Sequence, residues 1–410
     1  MNKTNSINIK LLHAAQRKKL MDALYTKKYP SGFEQLEHIA YEIISPKTIL
    51  KFVNEELIHD RKEIKELVGQ NLSTMSSGER KKAYLDYMLS LKPQTLVLDH
   101  FLDNLDGESR IIYHDKIMEC SKYTDIINIY SRTEDHLSFI EGNLTYDDDQ
   151  EQDTESGNKK ALSSFTSVPP PPKEYLPYDG SLIEFHNVCV SYLDKPILNR
   201  ISWQIDVGDF WHLYGPNGTG KTTLLSMING DNPKAYGQDI WLFGQKKGSG
   251  ETIWDIKQKV GYFTSNMTFQ FKRLQHVKDM ITSGFYDSIG LYVTPSDHHT
   301  LLANQWISFL GLDHLADVPF IKLSLCHQRI VMIARAMVKH PLLLILDEPS
   351  VDLDEESTRL VTALINKISQ ESATTIIYVS HRIEPGLSPT HEYQLVADQN
   401  GSIGIEKSVQ

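Results

Sequence analysis

One stretch of the 410-residue chain has the residue types and spacing of a phosphate-binding loop. It runs Gly215-Pro216-Asn217-Gly218-Thr219-Gly220-Lys221-Thr222 and fits the pattern GxxxxGK[ST]. In such a loop the backbone N–H groups surround the phosphates, the lysine contacts the β- and γ-phosphate oxygens, and the threonine hydroxyl binds Mg²⁺. We therefore predict a site for a nucleoside triphosphate and Mg²⁺. Its candidate residues are Gly215, Asn217, Gly218, Gly220, Lys221, Thr222 and Thr223.

A strand before this loop and a helix after it must hold it in place. Residues 209–214 predict a strand, and residues 223–228 predict a helix. The helix N-terminus would add its positive dipole to the phosphate site. The flanking sequence therefore favours a true phosphate loop over a chance match.

A second predicted strand ends in two carboxylates. Residues 342–346 are all apolar, and Asp347 and Glu348 follow them. We expect Asp347 to emerge beside the phosphate loop and to hold Mg²⁺, largely through water, because this ion keeps much of its hydration shell. Glu348 would polarise the attacking water.

Two other residues are candidates for the same site. His381 follows a β-rich run and could contact the γ-phosphate, but a structural turn histidine explains it equally well. Tyr192 lies 23 residues before Gly215 and could stack on adenine, although it also fits a core aromatic. Their order and separations, taken together with the loop, favour a single site.

Composition limits the possible partners. A formal net charge of −11 argues against broad contact with nucleic acid or an acidic membrane surface. The cysteines Cys120, Cys189 and Cys326 lie far apart, which fits a reducing cytosol. No apolar run approaches the roughly 20 residues of a membrane span. We expect a soluble, cytoplasmic chain that reaches a membrane only through a partner.

Residues 142–180 form the clearest boundary in the chain. An acidic, serine-rich tract opens at Asp147, and a run of prolines covers 169–172. This composition predicts an extended linker, and a plain spacer is favoured over a recognition motif. The predicted domains are therefore 1–141 and 181–410.

The segments on the two sides of this linker resemble each other. Lys339-His340-Pro341 precedes the acidic strand, and Leu91-Lys92-Pro93 precedes a similar run that ends in Asp99. Each is followed by a Leu-Asp pair, a predicted helix and a second β-rich run. A repeat at roughly 250 residues predicts tandem domains. Strands alternate with helices, so each half is expected to be α/β with a largely parallel sheet.

Taken together, these motifs resemble those of the ATP-binding-cassette (ABC) ATPases. The resemblance assigns the phosphate loop to 215–222, the second acidic motif to 342–348, the D-loop to 350–354 and the switch histidine to His381. It implies a duplicated P-loop NTPase fold of the ABC type, with a helical subdomain in each half. It also implies ATP hydrolysis with Mg²⁺, in which Lys221, Glu348 and His381 are catalytic.

The family's signature, LSGGQ, is matched in the first half by Met75-Ser76-Ser77-Gly78-Glu79. Ser76 and Gly78 would capture the γ-phosphate at a helix N-terminus. In the second half, Cys326 replaces a signature glycine, and we expect its Cβ to obstruct the phosphate. The signature of one ABC domain closes over the phosphate loop of another.

The first half departs from the family at its own nucleotide site. Residues 1–74 contain no GxxxxGK, His100 replaces the catalytic glutamate, and Ser131 replaces the switch histidine. The first domain is therefore expected to be truncated and to lack the phosphate-loop strand. We predict that the domains pair within one chain and form one composite site. In the alternative interpretation, the first half is a decaying remnant.

The second half is most similar to the ModF-type tandem ATPases, which are associated by name with molybdate transport. The resemblance rests on residues 196–199, 248–256, 285–290 and 338–341. It implies a membrane permease as partner and a peripheral place at the inner face of the cell membrane. Ser265 stands where transporter ATPases carry a glutamine, which favours a nucleotide-gated protein with slow turnover as the alternative. A ribosome-associated tandem ATPase is disfavoured by the acidic linker.

Overall fold

The computed structural model describes residues 5–12, 14–29, 33, 36–37, 39–59, 63–75, 77–103, 105, 107–146, 165–172, 180–192, 195–269, 274–288, 290–381 and 384–407. The chain forms two compact units, Met1–Glu151 and Gln152–Gln410. Within the described ranges, no helix is both long and apolar enough to cross a membrane.

The first unit is a parallel sheet covered by helices. Its strands are β1 (Ile7–Leu11), β2 (Tyr41–Ile44), β3 (Thr95–Asp99), β4 (Asp125–Tyr130) and β5 (Gly142–Tyr146), in the order β2-β3-β4-β1-β5. Every neighbouring pair is parallel. Its helices are α1 (Ala14–Thr26), α2 (Pro46–His59), α3 (Glu63–Val68), α4 (Ser77–Ser90) and α5 (Gly107–Cys120).

Both faces of this sheet are buried, as in other parallel sheets. Leu96 and Leu98 of β3 pack into one apolar cluster with residues of α2 to α5. Val97, between them, points to the other face and packs into a second cluster with residues of α1. The continuous apolar sequence of β3 therefore follows from having helices on both sides.

The second unit contains two sheets. The larger one is formed by β8 (Phe210–Tyr214), β11 (Val260–Thr264), β12 (Leu343–Asp347), β13 (Thr375–Ser380), β14 (His391–Val396) and β15 (Ile403–Lys407), in the order β11-β12-β13-β8-β14-β15. Only β15 runs antiparallel to its neighbour. The smaller, antiparallel sheet has the order β10-β9-β6-β7 and consists of β6 (Ser181–Tyr192), β7 (Lys195–Asp206), β9 (Ile240–Leu242) and β10 (Gln245–Lys246).

Helices of the second unit follow the strands and also form a separate helical region. They are α6 (Lys221–Ile228), α7 (Ile253–Lys257), α8 (Val277–Thr282), α9 (Asp297–Phe309), α10 (Leu325–Met337) and α11 (Glu355–Glu371). Between β11 and β12, α8 and α9 pack with α10 around the fully buried Trp306. This is the helical subdomain that the sequence resemblance implied.

The two units repeat the same five-stranded parallel arrangement. In the first, β1 lies between β4 and β5, and in the second, β8 lies between β13 and β14. The backbone repeats as well, since Lys92 and His340 have φ of 47° and 47°, and His100 and Glu348 have φ of 50° and 51°. Positive φ is uncommon outside glycine, so these matches support the duplication.

This arrangement corrects one expectation about the first unit. The strand that precedes a phosphate loop was expected to be missing, but β1 fills that place. The sequence Leu11 to Lys18 that follows β1 contains no glycine, so the motif is lost while the strand and its helix remain. A search for GxxxxGK could not reveal this.

The boundary region also differs from the expected linker. Strand β5 extends the first sheet to Tyr146, beyond the predicted boundary at 141. Residues 165–172 pack on the second unit, where the rings of Phe165 and Phe309 are 5.6 Å apart and the Val168 N–H donates to Glu371. That segment is therefore not a free spacer. The acidic tract that opens at Asp147 lies outside the described residues.

Candidate nucleotide-binding site

The predicted phosphate loop connects β8 to α6 and needs its glycines. Gly215, Gly218 and Gly220 have φ of +155°, +81° and +91°. A Cβ at Gly215 would overlap the backbone carbonyl of Leu395, and one at Gly220 would lie 2.7 Å from Leu198 Cδ2. The loop is therefore a close backbone turn that a side chain would disrupt.

Side chains of the loop donate hydrogen bonds to its own backbone carbonyl oxygens. Lys221 is buried, and its Nζ donates to the carbonyl oxygens of Gly215 at 2.6 Å and Pro216 at 3.0 Å. The Thr219 hydroxyl also donates to Pro216 O, at 2.8 Å. Thr222, at the start of α6, is exposed. This cradle fits the phosphate chain of a nucleotide.

Two carboxylates follow the neighbouring buried strand. Asp347 ends β12, and Glu348 takes the positive φ that turns the chain at the edge of the sheet. Burial raises the pKa of Asp347 to about 7, with a further rise from Glu348 and an opposing effect of Lys221. The pKa of Glu348 is lowered because His381, Lys221 and Arg329 outweigh its burial.

His381 lies at the end of β13, next to β12 in the sheet. Its Nδ1 is 3.9 Å from Glu348 Oε1, beyond hydrogen-bond distance. This buried Nδ1 has no hydrogen-bond partner among the described residues. A buried polar atom needs a partner, and a phosphate oxygen or a water bound to it fits this one.

Oxygen donors at this edge of the sheet suit Mg²⁺. The Thr222 hydroxyl and the Asp347 carboxylate are ligands of the type that this ion prefers, and phosphate and water oxygens normally complete its shell. No group of three His, Cys, Asp or Glu side chains with metal-ligand geometry occurs in the described part of the chain. The residues present therefore fit a magnesium ion held mainly by phosphate and water.

Tyr192 is placed at the surface rather than in a core. It ends β6 and is 40% exposed to solvent, so the core-aromatic alternative does not apply. The Asn232 Nδ2 donates to its hydroxyl at 2.9 Å and to Ser226 Oγ on α6 at 3.0 Å. Asn232 thus links the candidate adenine platform to the phosphate-loop helix. Sequence reasoning missed Asn232 because no motif marks it.

In the first unit, the signature lies at the start of α4. Ser76 is outside the described residues, while Gly78 is buried in the first turn of α4. The carboxylate of Glu56 accepts the Leu72 and Ser73 N–H groups at 3.2 and 3.1 Å. Arg80 donates to the carbonyl oxygens of the same two residues. The loop before the signature is thus held from both sides.

The second signature places its cysteine thiol in the core. Cys326 is buried, and its Sγ lies 3.9 Å from the carbonyl oxygen of Ser357 on α11. The expected obstruction of the phosphate by the Cβ of Cys326 stays a prediction. The Ser324 hydroxyl caps α10 by accepting the His327 N–H at 3.2 Å.

These features define an ATPase of a known class. The strands β8, β12 and β13 are adjacent and parallel, so the loop, the carboxylates and His381 share one edge of the sheet. The family model described as ABC transporter matches residues 198–351. The chain belongs to the ABC ATPase family, whose members hydrolyse ATP, and this confirms the expected fold and activity.

One relative is similar over most of the chain. The ABC transporter ATP-binding protein ModF of Escherichia coli (strain K12) is 35% identical over 353 residues, which cover 81% of this chain and 72% of that protein. An uncharacterised ABC transporter ATP-binding protein of Schizosaccharomyces pombe is 28% identical, over 77% of this chain and 67% of that protein. Among solved structures, CbiO1 from Clostridium perfringens is 23% identical with a TM-score of 0.49, over 56% of this chain and 89% of that chain.

Proposed function

We propose that this ABC transporter ATP-binding protein hydrolyses ATP at one composite site. The second unit's phosphate loop binds ATP, and the first unit's signature, with Ser76 and Gly78, completes the site within the same chain. One observation carries the proposal, namely that the defects are complementary. The first unit keeps a braced signature loop but no glycine in Leu11 to Lys18, whereas the second keeps the glycines and replaces its signature glycine by Cys326.

The proposed chemistry follows from the charges at the sheet edge. Glu348, with its lowered pKa, is ionised and orients the attacking water. Lys221 donates to the phosphate oxygens, and His381 Nδ1 contacts the γ-phosphate or the water. Thr222 and Asp347 would hold Mg²⁺, which would neutralise part of the phosphate charge. Tyr192, oriented by Asn232, stacks on adenine.

The process that ATP hydrolysis would drive is proposed from the similarity to a named relative. The name ModF and its 35% identity support transport of molybdate or a related oxyanion through a separate membrane permease. The chain would then act at the inner face of the cell membrane. No described residue is proposed to bind the oxyanion, because the permease would carry that site.

One observation favours a second function, a nucleotide-gated protein with slow turnover. Ser265, where transporter ATPases carry a glutamine, begins a five-residue 3₁₀-helix after β11. Arg329 of α10 donates to its carbonyl oxygen and to the Thr268 hydroxyl. This helix is thus fixed to α10, and Ser265 has no side-chain amide with which to relay nucleotide state to a permease.

The composite site is tested by a matched pair of substitutions. Ser76→Arg is expected to slow ATP hydrolysis about 10²-fold, because it fills the signature that faces the γ-phosphate, and to leave ATP affinity unchanged. Ser324→Arg, at the same place in the second signature, should leave the rate within about twofold. Steady-state hydrolysis and equilibrium ATP binding provide the measurement. Equal rates for the two variants would exclude the composite site.

A further inference from the structure

The first unit carries an arginine where the second carries its phosphate-loop lysine. In the two sheets, Ile9 of β1 pairs with Ile129, and Leu213 of β8 pairs with Val379. Ile129 and Val379 are in turn the partners of Asp99 and Asp347. Arg17 lies eight residues after Ile9, as Lys221 lies eight residues after Leu213.

The sequence before Arg17 lacks the glycines of a phosphate loop. Helix α1 begins at Ala14, three residues before Arg17, whereas α6 begins at Lys221 itself. The Gln16 Oε1 accepts the Leu12 N–H at 2.7 Å, so a backbone donor of the turn is already bonded. Among the described residues here, helix takes the place of a glycine turn, and the Leu12 N–H is not available to a phosphate.

Residues that correspond to a catalytic centre bond to each other here. The Arg17 guanidinium donates to both Asp99 oxygens, at 2.9 and 3.2 Å, in a two-pronged pair. His100 Nδ1 is 3.0 Å from Asp99 Oδ1, and its Nε2 is 2.8 Å from Ser131 Oγ. Asp99, His100 and Ser131 are all buried. The positive charge of Arg17 thus neutralises Asp99, as Mg²⁺ would neutralise Asp347 in the second unit.

The bonded group of Arg17, Asp99, His100 and Ser131 is connected to α4, the helix that begins at the signature. Lys81 of α4 donates to the carbonyl oxygens of His100 at 2.8 Å and Asp103 at 3.0 Å. The corresponding residue of the second unit, Arg329, instead donates to the turn after β11. In the first unit, α4 is therefore fixed to the end of β3, where Arg17 pairs with Asp99.

We propose that Arg17, Asp99, His100 and Lys81 are positioning residues for ATP hydrolysis. They hold α4 in one place without nucleotide, so that the helix that begins at the signature is already positioned within the first unit when ATP binds. The chain would accordingly bind a single nucleotide. This inference rests on the composite site proposed above.

The test uses the full chain with Lys81→Met, Lys81→Arg and Lys82→Met. Lys82, the next residue on α4, bonds to the Ser109 hydroxyl instead and is the matched control. Lys81→Met is expected to lower kcat at least tenfold with KM for ATP changed less than twofold. Lys81→Arg should restore most of the rate, and Lys82→Met should keep it. An unchanged kcat in Lys81→Met would overturn the inference.

Two further measurements separate the possible failures. If Ser76→Arg abolishes hydrolysis while Lys81→Met does not affect it, the composite site stands and the positioning network is wrong. If neither variant affects hydrolysis, both proposals fall. Equilibrium binding of Mg-ATP to the Glu348→Gln chain should give one nucleotide per chain, even if Lys81→Met does not fold. Two nucleotides per chain would show that the Arg17–Asp99 pair does not keep nucleotide out of the first unit.

Discussion

At the scale of residues, two corresponding aspartates differ in their surroundings. Burial raises the pKa of Asp347 to about 7, and Lys221 opposes this only in part. For Asp99, the effects of His100 and Arg17 outweigh burial and lower the pKa to about 2. The two pKa values differ because the charged side chains beside the two carboxylates differ. Asp99 already has one from the chain, whereas Asp347 suits one that arrives with the nucleotide.

The Asp99 pair predicts an acid-sensitive contribution to stability. Its folded-state pKa of about 2 is below the usual 3.8, so the pair stabilises the first unit above about pH 4. That contribution, roughly 2 kcal/mol, is lost as the pH falls toward 2. Asp99→Asn should therefore lower the free energy of unfolding by about this amount at pH 7 and by only a small part of it at pH 2, where about half of Asp99 is protonated in the folded state.

Urea unfolding followed by circular dichroism measures this effect. All five tryptophans lie between residues 203 and 306, so their fluorescence reports the second unit separately and should not change. Asp115→Asn, at an exposed position on α5, is the control and should cost less than about 0.5 kcal/mol. A difference between wild type and Asp99→Asn that stays constant with pH would contradict the prediction.

Local motifs marked some candidate site residues and did not mark others. Lys221, Thr222 and Glu348 could be predicted because each belongs to a short pattern with a fixed spacing. Arg17 could not, because it pairs with Asp99 across 82 residues of sequence and has no motif of its own. The role of such a residue depends on sheet register, which the sequence does not display.

At the scale of elements, β1 and α1 are present although the glycine-rich motif that normally connects such a strand and helix is absent from the sequence. The place of β1 is set by pairing with β4 and β5, and its apolar residues Ile9 and Leu11 are buried. None of this needs a glycine-rich loop. The strand was therefore missed, while β12 was predicted from its long apolar run and the carboxylates after it.

The contact between the phosphate loop and β14 can be tested with two glycines. Gly215→Ala would force a Cβ against the backbone carbonyl of Leu395, which cannot move without shifting β14. We expect it to destabilise the nucleotide-free protein by about 3 kcal/mol. Gly218→Ala, where a Cβ meets nothing within 4 Å, should cost only the strain of its positive φ, about 1 kcal/mol.

Thermal unfolding followed by tryptophan fluorescence compares these variants. Trp211 lies on β8, directly before the loop, and reports this region. Similar losses for the two variants would mean that the loop does not depend on its approach to β14.

At the scale of the whole molecule, the two units keep different parts of a cassette. Within the described residues, the first unit has no counterpart of the antiparallel sheet that carries Tyr192. It retains the parallel sheet and the helix that begins at the signature. One candidate adenine platform, one glycine loop and one signature after a braced turn are what the proposed single site per chain requires.

The order of the units and their duplication could be predicted from the sequence, because the repeated Pro and Asp positions are local. The boundary was placed too early, since the strand that ends at Tyr146 directly precedes the acidic tract and takes its partner from the first residues of the chain. Long-range pairing of this kind leaves little trace in composition.

Steady-state hydrolysis of Mg-ATP by the purified chain tests the central claim most directly. The Glu348→Gln chain is the blank, because losing the water-orienting carboxylate should slow hydrolysis by about 10²-fold and leave ATP binding intact. We predict turnover by the wild-type chain well above this blank. ATP binding with a rate equal to that of the blank would contradict the account and favour the nucleotide-gated protein.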